Sequence, residues 1–468
     1  MKIVLKNVGA IKGPLELAPA RLTVFSGGNN TGKTYAMYVL WALFQHRTQH
    51  VFTFAERLAD QLKTQGSLQI PLDDFCTQHW ATMEKGISEG LRKRLPELFS
   101  APPKFFEDAQ VQVFLNLSVF LAFAGNHLEF KRSISVGASS TLDVRLMQGE
   151  SGLVIALTAL DAHKLPISLL AELVSSLFIE LVLGTQVDSA FLLPAERGGL
   201  NLFYPDLDAK NSALVRHLKR DESNPIELLR DMMVAQYAAP IESYIHFLKK
   251  APRIPKSGGD FHDQALALQK DIAGVRYKVS KDGVITAKPY RSDTELGLHL
   301  TSSTVKSFYG LWAWLELQAK SGDCLMIDEP ELNLHPDNQR LVARLLVRLV
   351  NRGIRVVIST HSDYIVRELN NMIMLSSEFP ERAEMERRFD YELTGVERLQ
   401  YDQVAAYNFT GKEVQPSIIS PEFGIEVKSM DDAINRLNES NSEIYFGLAD
   451  ALHPVVVSEQ VERIHDAG

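Results

Sequence analysis

Cysteine is almost missing from this chain: among 468 residues there are two, Cys76 and Cys324, far apart. Two such residues exclude a disulfide scaffold and a cysteine-built zinc site, and a reducing compartment, the cytoplasm, is the expected setting. Positive charge is not in excess either, since 58 acidic residues stand against 49 basic ones for a formal net charge of −9. That argues against non-specific coating of nucleic acid and leaves any DNA contact to a local basic groove. The one compact basic run is Leu91 to Leu95, LRKRL, which a solvated helix face explains equally well. The opening residues, MKIVLKNVGAIKG, lack the continuous apolar core of a signal peptide. The most apolar stretch, Pro166 to Gly184, is long enough to span a bilayer, but Glu172 and Glu180 would each enter hydrocarbon at about 3 kcal/mol. A buried helix is expected there, and no membrane partner.

Hydrophobic residues at 45% and charged residues at 23% are enough for a sizeable globular core, and the length suits two or three domains or one domain with insertions. Two short strands open the chain, Lys2 to Val8 and Arg21 to Gly27. The second runs into a glycine loop and then into KTYAMYVLWALFQH, where Ala36, Met37, Leu40, Leu43 and Phe44 recur at helical spacing. A long helical region is expected from about 51 to 122, followed by a strand meander from Leu128 to Leu160 with turns at Gly137, Gly149 and Gly152. Residues 205–272 read as mostly helical, and VRYKVSKDGVITAKP as a hairpin turning at Asp282-Gly283. From Leu300 to Leu375 the pattern is α/β: helices at Ser303–Lys320 and Asn338–Arg352, each followed by an apolar strand, and a third helix starting near Asp363. Ser429 to Ser440, with the pair Asp431-Asp432, reads as an amphipathic helix with an acidic start.

The loop Gly27 to Thr34, GGNNTGKT, fits G-x-x-x-x-G-K-[ST]. Gly27 and Gly32 let the backbone curl until successive N–H groups face phosphates at a helix N-terminus. The expected cofactor-binding residues are Gly27, Gly28, Asn29, Asn30, Thr31, Gly32, Lys33, Thr34 and Tyr35, with Lys33 on the β- and γ-phosphates of ATP and Thr34 on Mg²⁺. A chance glycine-rich turn would not require a strand before it and a helix after it.

A phosphate loop needs a further carboxylate for its metal, and CLMIDEPELNLHP supplies one where an apolar strand ends in Asp328-Glu329. Asp328 is expected to support Mg²⁺ and Glu329 to deprotonate the attacking water. Some thirty residues on, VVISTHSDYIV places His361 just past another apolar strand, where its imidazole can hydrogen-bond the γ-phosphate. Lys33, Glu329 and His361 are thus the candidate catalytic residues.

In this order, phosphate loop, Asp-Glu strand and histidine resemble the ABC-type ATPases. The resemblance sharpens at LHLTSSTVKSFYGL, Leu298 to Leu311, the place of that class's signature motif, where Ser302 and Ser303 would cap a helix and meet the γ-phosphate held by another subunit. Thr304 stands where the class has glycine, which implies slow hydrolysis. Glu331 to Pro336, ELNLHP, matches the loop that runs along the dimer interface in that class.

Lys33 and Asp328 lie 328 − 33 = 295 residues apart, far more than in transporter cassettes, and Pro71, Pro96, Pro102, Pro103, Pro166, Pro194 and Pro205 interrupt any long heptad run between them. The chain is therefore similar to the soluble SMC-like and OLD-like branch with a compact insertion. GGNNTGKT, LLPAERGGLNLFY (192–204) and LHLTSSTVKS look like the OLD-like, defence-associated ATPases. By position, Glu196 and Arg197 stand where that class offers a glutamine to Mg²⁺ and water; a buried ion pair steadying a turn is the alternative. The Toprim nuclease domain of full OLD proteins has no counterpart motif after residue 380.

The expected fold class is α/β: an ABC-type P-loop head with a mixed central sheet, an antiparallel β subdomain and a compact, mainly helical insertion. Its parts are head segments at 1–50, 186–204 and 291–380, insertions at 51–185 and 205–290, and a C-terminal α/β extension at 381–468. The resemblance implies an ATPase of the PARIS or Septu kind, joined head to head with itself or in a higher oligomer and controlling a separate effector, such as a nuclease, on a phage-encoded trigger. The alternative is an SMC-like repair or clamp ATPase on duplex DNA.

Overall fold

The computed structural model describes the chain apart from residues 47–49, 127–130, 137–139, 150–151, 161–164, 205–236, 255–258, 281–283, 392–395, 412 and 453–468. The expected turns at Gly137 and Asp282-Gly283, and the first half of the 205–272 helical stretch, lie outside the described residues. The chain divides into two compact units, residues 1–426 and 427–468.

Among the described residues of the first unit the strands are β1 (Lys2–Lys6), β2 (Leu15–Leu17), β3 (Leu22–Gly27), β4 (Ser67–Pro71), β5 (Gln110–Phe114), β6 (Lys131–Val136), β7 (Ser140–Gly149), β8 (Gly152–Leu160), β9 (Ala190–Leu193), β10 (Val275–Val279), β11 (Ile285–Pro289), β12 (Leu296–Gly297), β13 (Cys324–Asp328), β14 (Arg355–Ser359), β15 (Val404–Phe409), β16 (Val414–Pro416), β17 (Ile419–Ser420) and β18 (Gly424–Ile425). The central sheet has the order β16-β15-β3-β14-β13-β9. Its inner strands are parallel, with only β16 antiparallel at the edge. Every residue of β3 and β13 is buried, as expected for parallel strands covered on both faces. The helix Lys33–Phe44 is apolar around its whole circumference, and Ala36 through Phe44 are buried. Such a helix belongs inside a core rather than on its surface.

Besides the antiparallel sheet β10-β11-β12, which holds the two strands of the expected hairpin, and the pair β17-β18, two antiparallel sheets flank this head, β2-β1-β5 and β4-β8-β7-β6. The second contains the expected meander, and β4 adds to it from upstream. The expected helical run over 51–122 is interrupted by β4 and β5, and QVQVF in β5 alternates exposed and buried residues with the period of a strand. The helix Ile167–Gly184 is long and apolar enough to cross a membrane by length and composition. It buries Leu170, Val174, Phe178 and Val182 within the core, packs on the helix Thr53–Gln65 and leaves Glu172 exposed.

The largest departure from the sequence reading concerns the tail. Residues 381–426 belong to the head and not to a C-terminal extension, because β15 pairs in parallel with β3 along its whole length, from Val404 opposite Leu22 to Phe409 opposite Gly27; only residues 427–468 form a second unit. The phosphate-loop strand thus sits between β14 and β15, and the head runs to residue 426. In the second unit, Lys428–Leu452 forms one 25-residue helix. Both cysteines are buried and unbridged.

Candidate functional site

The first half of the site is the turn that leaves β3. Gly27 and Gly32 have φ of 124° and 106°, values L side chains rarely adopt, and Asn30 has φ 59°. A Cβ on Gly27 would lie 2.1 Å from the Phe409 carbonyl oxygen, so the tail strand itself demands glycine there. Thr31 Oγ1 donates to the Gly28 carbonyl at 2.8 Å and stiffens the turn. Gly32 offers no side chain to cap the helix that follows, so its first N–H groups open into the loop. Gly28, Asn29 and Asn30 are exposed, whereas Lys33 is buried and donates to the carbonyls of Gly27 and Gly28 at 3.0 and 2.6 Å. Burial pushes the Lys33 ammonium below its ordinary range, against the pull of Asp328, Glu329 and Glu331. Tyr35 is committed to packing: its ring fills the space beside Gly9 and lies 4.9 Å from the ring of Phe99.

The second half comes from the ends of β13 and β14. Paired strands put Asp328 beside Ser359, whose hydroxyl donates to Asp328 Oδ1. The other carboxylate oxygen, Oδ2, accepts from Thr34 Oγ1 at 3.1 Å, across 294 residues of sequence. Glu329 follows in the left-handed region, at φ 51°, a conformation that costs a non-glycine residue on the order of 1–3 kcal/mol. Both sides of its backbone are held. The Glu329 N–H donates to the carbonyl and the hydroxyl of Ser359, both at 3.1 Å. Its carbonyl accepts from Arg197 Nη2 at 2.8 Å, while Arg197 Nη1 reaches the Asp328 carbonyl at 2.8 Å and that of Pro194 at 3.2 Å. Burial, with Asp328 alongside, pushes the Glu329 carboxyl above its ordinary range, a direction that makes a carboxylate a stronger proton acceptor.

His361 Nε2 lies 3.7 Å from Glu329 Oε1, and burial followed by the charge of Lys33 pushes its imidazole downward, favouring the neutral form. The loop carrying it is fixed by Glu331, a half-buried carboxylate that accepts from Thr360 Oγ1 at 2.9 Å and from the His361 N–H. Thr360 N–H in turn donates to the Phe25 carbonyl at 2.8 Å, so the two halves of the site share a backbone hydrogen bond.

The structure therefore brings Lys33, Thr34, Asp328, Glu329 and His361 together, beside the loop from Gly27. It does not bring Ser302 and Ser303 to them. Both are exposed at the start of the helix Ser303–Leu317, where Ser302 Oγ accepts from Val305 N–H at 3.3 Å. Among the described residues neither bonds to the phosphate loop. Thr304 Oγ1 donates to the Asn333 carbonyl at 3.3 Å, which ties this helix start to the loop after Glu329.

Three participants were missed by sequence reasoning or assigned otherwise. Arg197 is neither a substitute for glutamine nor half of an ion pair with Glu196: it is 1% exposed and its bonds go to backbone carbonyls, while Glu196 is exposed. Glu331 read only as part of an interface loop, and Ser359 as the last residue of a strand. No local pattern distinguishes them, because their partners lie roughly 30 residues away or more. A cavity of 590 Å³ lined by Met374, Leu375, Phe379, Met385, Phe389 and Tyr391 shares no residue with this site.

Residues 193–367 match the family described as "AAA domain, putative AbiEii toxin, Type IV TA system". The matched segment holds Arg197, Ser302, Asp328, Glu329, Glu331 and His361, and the sheet joins it to the phosphate loop upstream. The fold is α/β, with a mostly parallel central sheet whose strand β3 runs into the glycine loop and the helix Lys33–Phe44. Among solved structures, an SMC head domain from Thermotoga maritima is 10% identical over 89% of this chain and 98% of that one, with a TM-score of 0.32. An Smc head domain with an extended coiled coil bound to the C-terminal domain of ScpA, derived from Pyrococcus furiosus, is 14% identical over 94% and 98%, with a TM-score of 0.34. No curated protein matches the chain.

Proposed function

We propose that this protein binds ATP with Mg²⁺ in the Gly27–Thr34 loop, hydrolyses it slowly at a site completed by a second copy of the chain, and uses that cycle to control a separate effector in cytoplasmic antiviral defence. The observation that carries the nucleotide reading is the 3.1 Å contact between the Thr34 hydroxyl and the Asp328 carboxylate, with Glu329 next in sequence. Thr34 and Asp328 present hard oxygen donors, which fit Mg²⁺ better than a softer metal. When bound, Mg²⁺ neutralises phosphate charge. Loop N–H groups and Lys33 hold the phosphates, Glu329 takes the proton of the attacking water, and neutral His361 donates to the γ-phosphate.

The exposed Ser302 and Ser303 support a composite site, since an exposed helix start that makes no bond to its own phosphate loop is available to another subunit's nucleotide. Thr304, held to Asn333, narrows that approach and supports slow turnover. The family description names a putative toxin of a type IV toxin–antitoxin system, which supports a chain that acts together with a partner; the antiviral setting and an effector such as a nuclease are what the proposal adds.

The test is nucleotide binding and turnover by the purified chain, followed by co-purification from its native operon with and without ATP. Lys33→Ala should abolish binding, while Glu329→Gln should bind ATP and stall. Recovery of a stoichiometric protein partner supports effector control. Recovery of duplex DNA alone, with DNA-stimulated turnover, would replace it by the DNA-clamp reading.

A further inference from the structure

The second unit carries a surface that the ATPase reading leaves unused. From Asn435 to Leu448 every residue of the helix Lys428–Leu452 is exposed, including Leu437 at 68%, Ile444 at 70% and Leu448 at 56%. Tyr445 and Phe446 are exposed too, Phe446 on the opposite side of the helix, but the aliphatic residues fall in one line. Ile434, Leu437, Asn441, Ile444 and Leu448 succeed one another at spacings of three, four, three and four, the a and d positions of consecutive heptads. A stripe of that spacing winds into a narrow seam suited to one facing helix.

We infer that this helix pairs in parallel and in register with the same helix of a second copy, forming a two-stranded coiled coil. Asn441 identifies the occupant. It stands at an a position, where a single asparagine specifies register and oligomer state at a cost in stability, because its amide both donates and accepts and so can pair with its own copy across the seam. The flanking e and g positions are Asn438, Ser440, Tyr445 and Gly447, all uncharged, while Arg436, Glu439 and Glu443 lie on the outer face. Nothing on the flanks repels an identical chain, and no charge pattern there selects a different one.

The consequence rests on the reading of a composite ATP site. Two chains joined at this helix hold their heads at high effective concentration, so engagement of Ser302 and Ser303 with the other head becomes intramolecular. The pairing itself needs no nucleotide.

The experiment uses the full chain in nucleotide-free buffer and in the Lys33→Ala background, which separates it from any failure of the ATPase reading. Sedimentation should give a dimer, and Leu437→Glu with Ile444→Glu should give a monomer. Asn441→Cys supplies the position-specific test, since Cys76 and Cys324 are both buried. Mild oxidation should link most of the Asn441→Cys chain into a reducible dimer, because parallel in-register pairing sets residue 441 against its own copy. A wild-type monomer, a Leu437→Glu, Ile444→Glu chain that stays dimeric, or an Asn441→Cys chain that does not cross-link would each overturn the inference. A dimer without concentration-independent ATP turnover would leave the coiled coil standing and remove its link to the composite site.

Discussion

Arg197 grips Glu329 by its backbone, donating from Nη2 to the Glu329 carbonyl at 2.8 Å while Nη1 takes the Asp328 carbonyl at the same distance. A buried guanidinium, with its charge balanced by the nearby carboxylates, here holds the peptide between the two acidic residues. Together with Ser359 on the N–H side it secures the left-handed conformation of Glu329. Replacing Arg197 by Met leaves both carbonyls without this donor, at about 1–3 kcal/mol each. The expected result is a lower Tm and a kcat reduced by about ten- to hundredfold, with ATP affinity largely retained. An Arg197→Met chain with normal kcat would separate the brace from the chemistry.

Glu331 is expected to behave as a positioning residue for His361. Glu331→Ala removes the acceptor for Thr360 Oγ1 and the His361 N–H, so kcat should fall with little change in ATP binding. Glu331→Gln, which retains one acceptor oxygen, should recover part of the loss. Single-turnover kinetics beside nucleotide titration checks this, and a pure binding defect would contradict it.

Glu368 is 1% exposed and takes Arg340 at 2.8 Å and Arg344 at 2.6 Å, joining the helix Pro336–Asn351 to the helix Asp363–Met374 that follows His361. Removing one member of such a set leaves buried charge uncompensated, so Glu368→Ala should cost roughly 3–5 kcal/mol. Denaturant unfolding measures it directly. A loss within that of an ordinary surface substitution would show that Arg340 and Arg344 find other partners.

Asp323, at the entry to β13, is pushed up to about 6 from 3.8 by burial, with Asp188 adding to the rise and the Lys320 N–H opposing it. Because the folded state holds this proton more tightly, the contribution is fullest below the unfolded value and is lost as pH rises through about 6. Asp323→Asn should therefore gain stability relative to wild type above that pH, on the order of 1 kcal/mol after solvent screening. Equal stability differences at pH 4 and pH 8 would count against the shift.

The tail makes the last prediction. A chain ending at residue 400 lacks β15, whose Phe409 carbonyl closes on Gly27. It should neither bind ATP nor unfold cooperatively, whereas a detachable extension at 381–468 would be dispensable.

Residues close in sequence announced themselves by chemistry that depends on local spacing alone. The glycines and Lys33 of the loop, the acidic pair at the end of an apolar strand, and His361 after the next strand needed no tertiary information. Each is a strand end, and strand ends follow from runs of buried apolar residues punctuated by polar ones. The tertiary structure alone decided which strand lies beside β3, since short strands such as β15 and β16 carry no mark of their partner. It alone turned Arg197 and Glu331 from loop residues into supports of Glu329 and His361. Hydrogen bonds from a buried side chain to distant backbone leave no periodicity in the sequence, because one end of each bond is a peptide group that every residue shares.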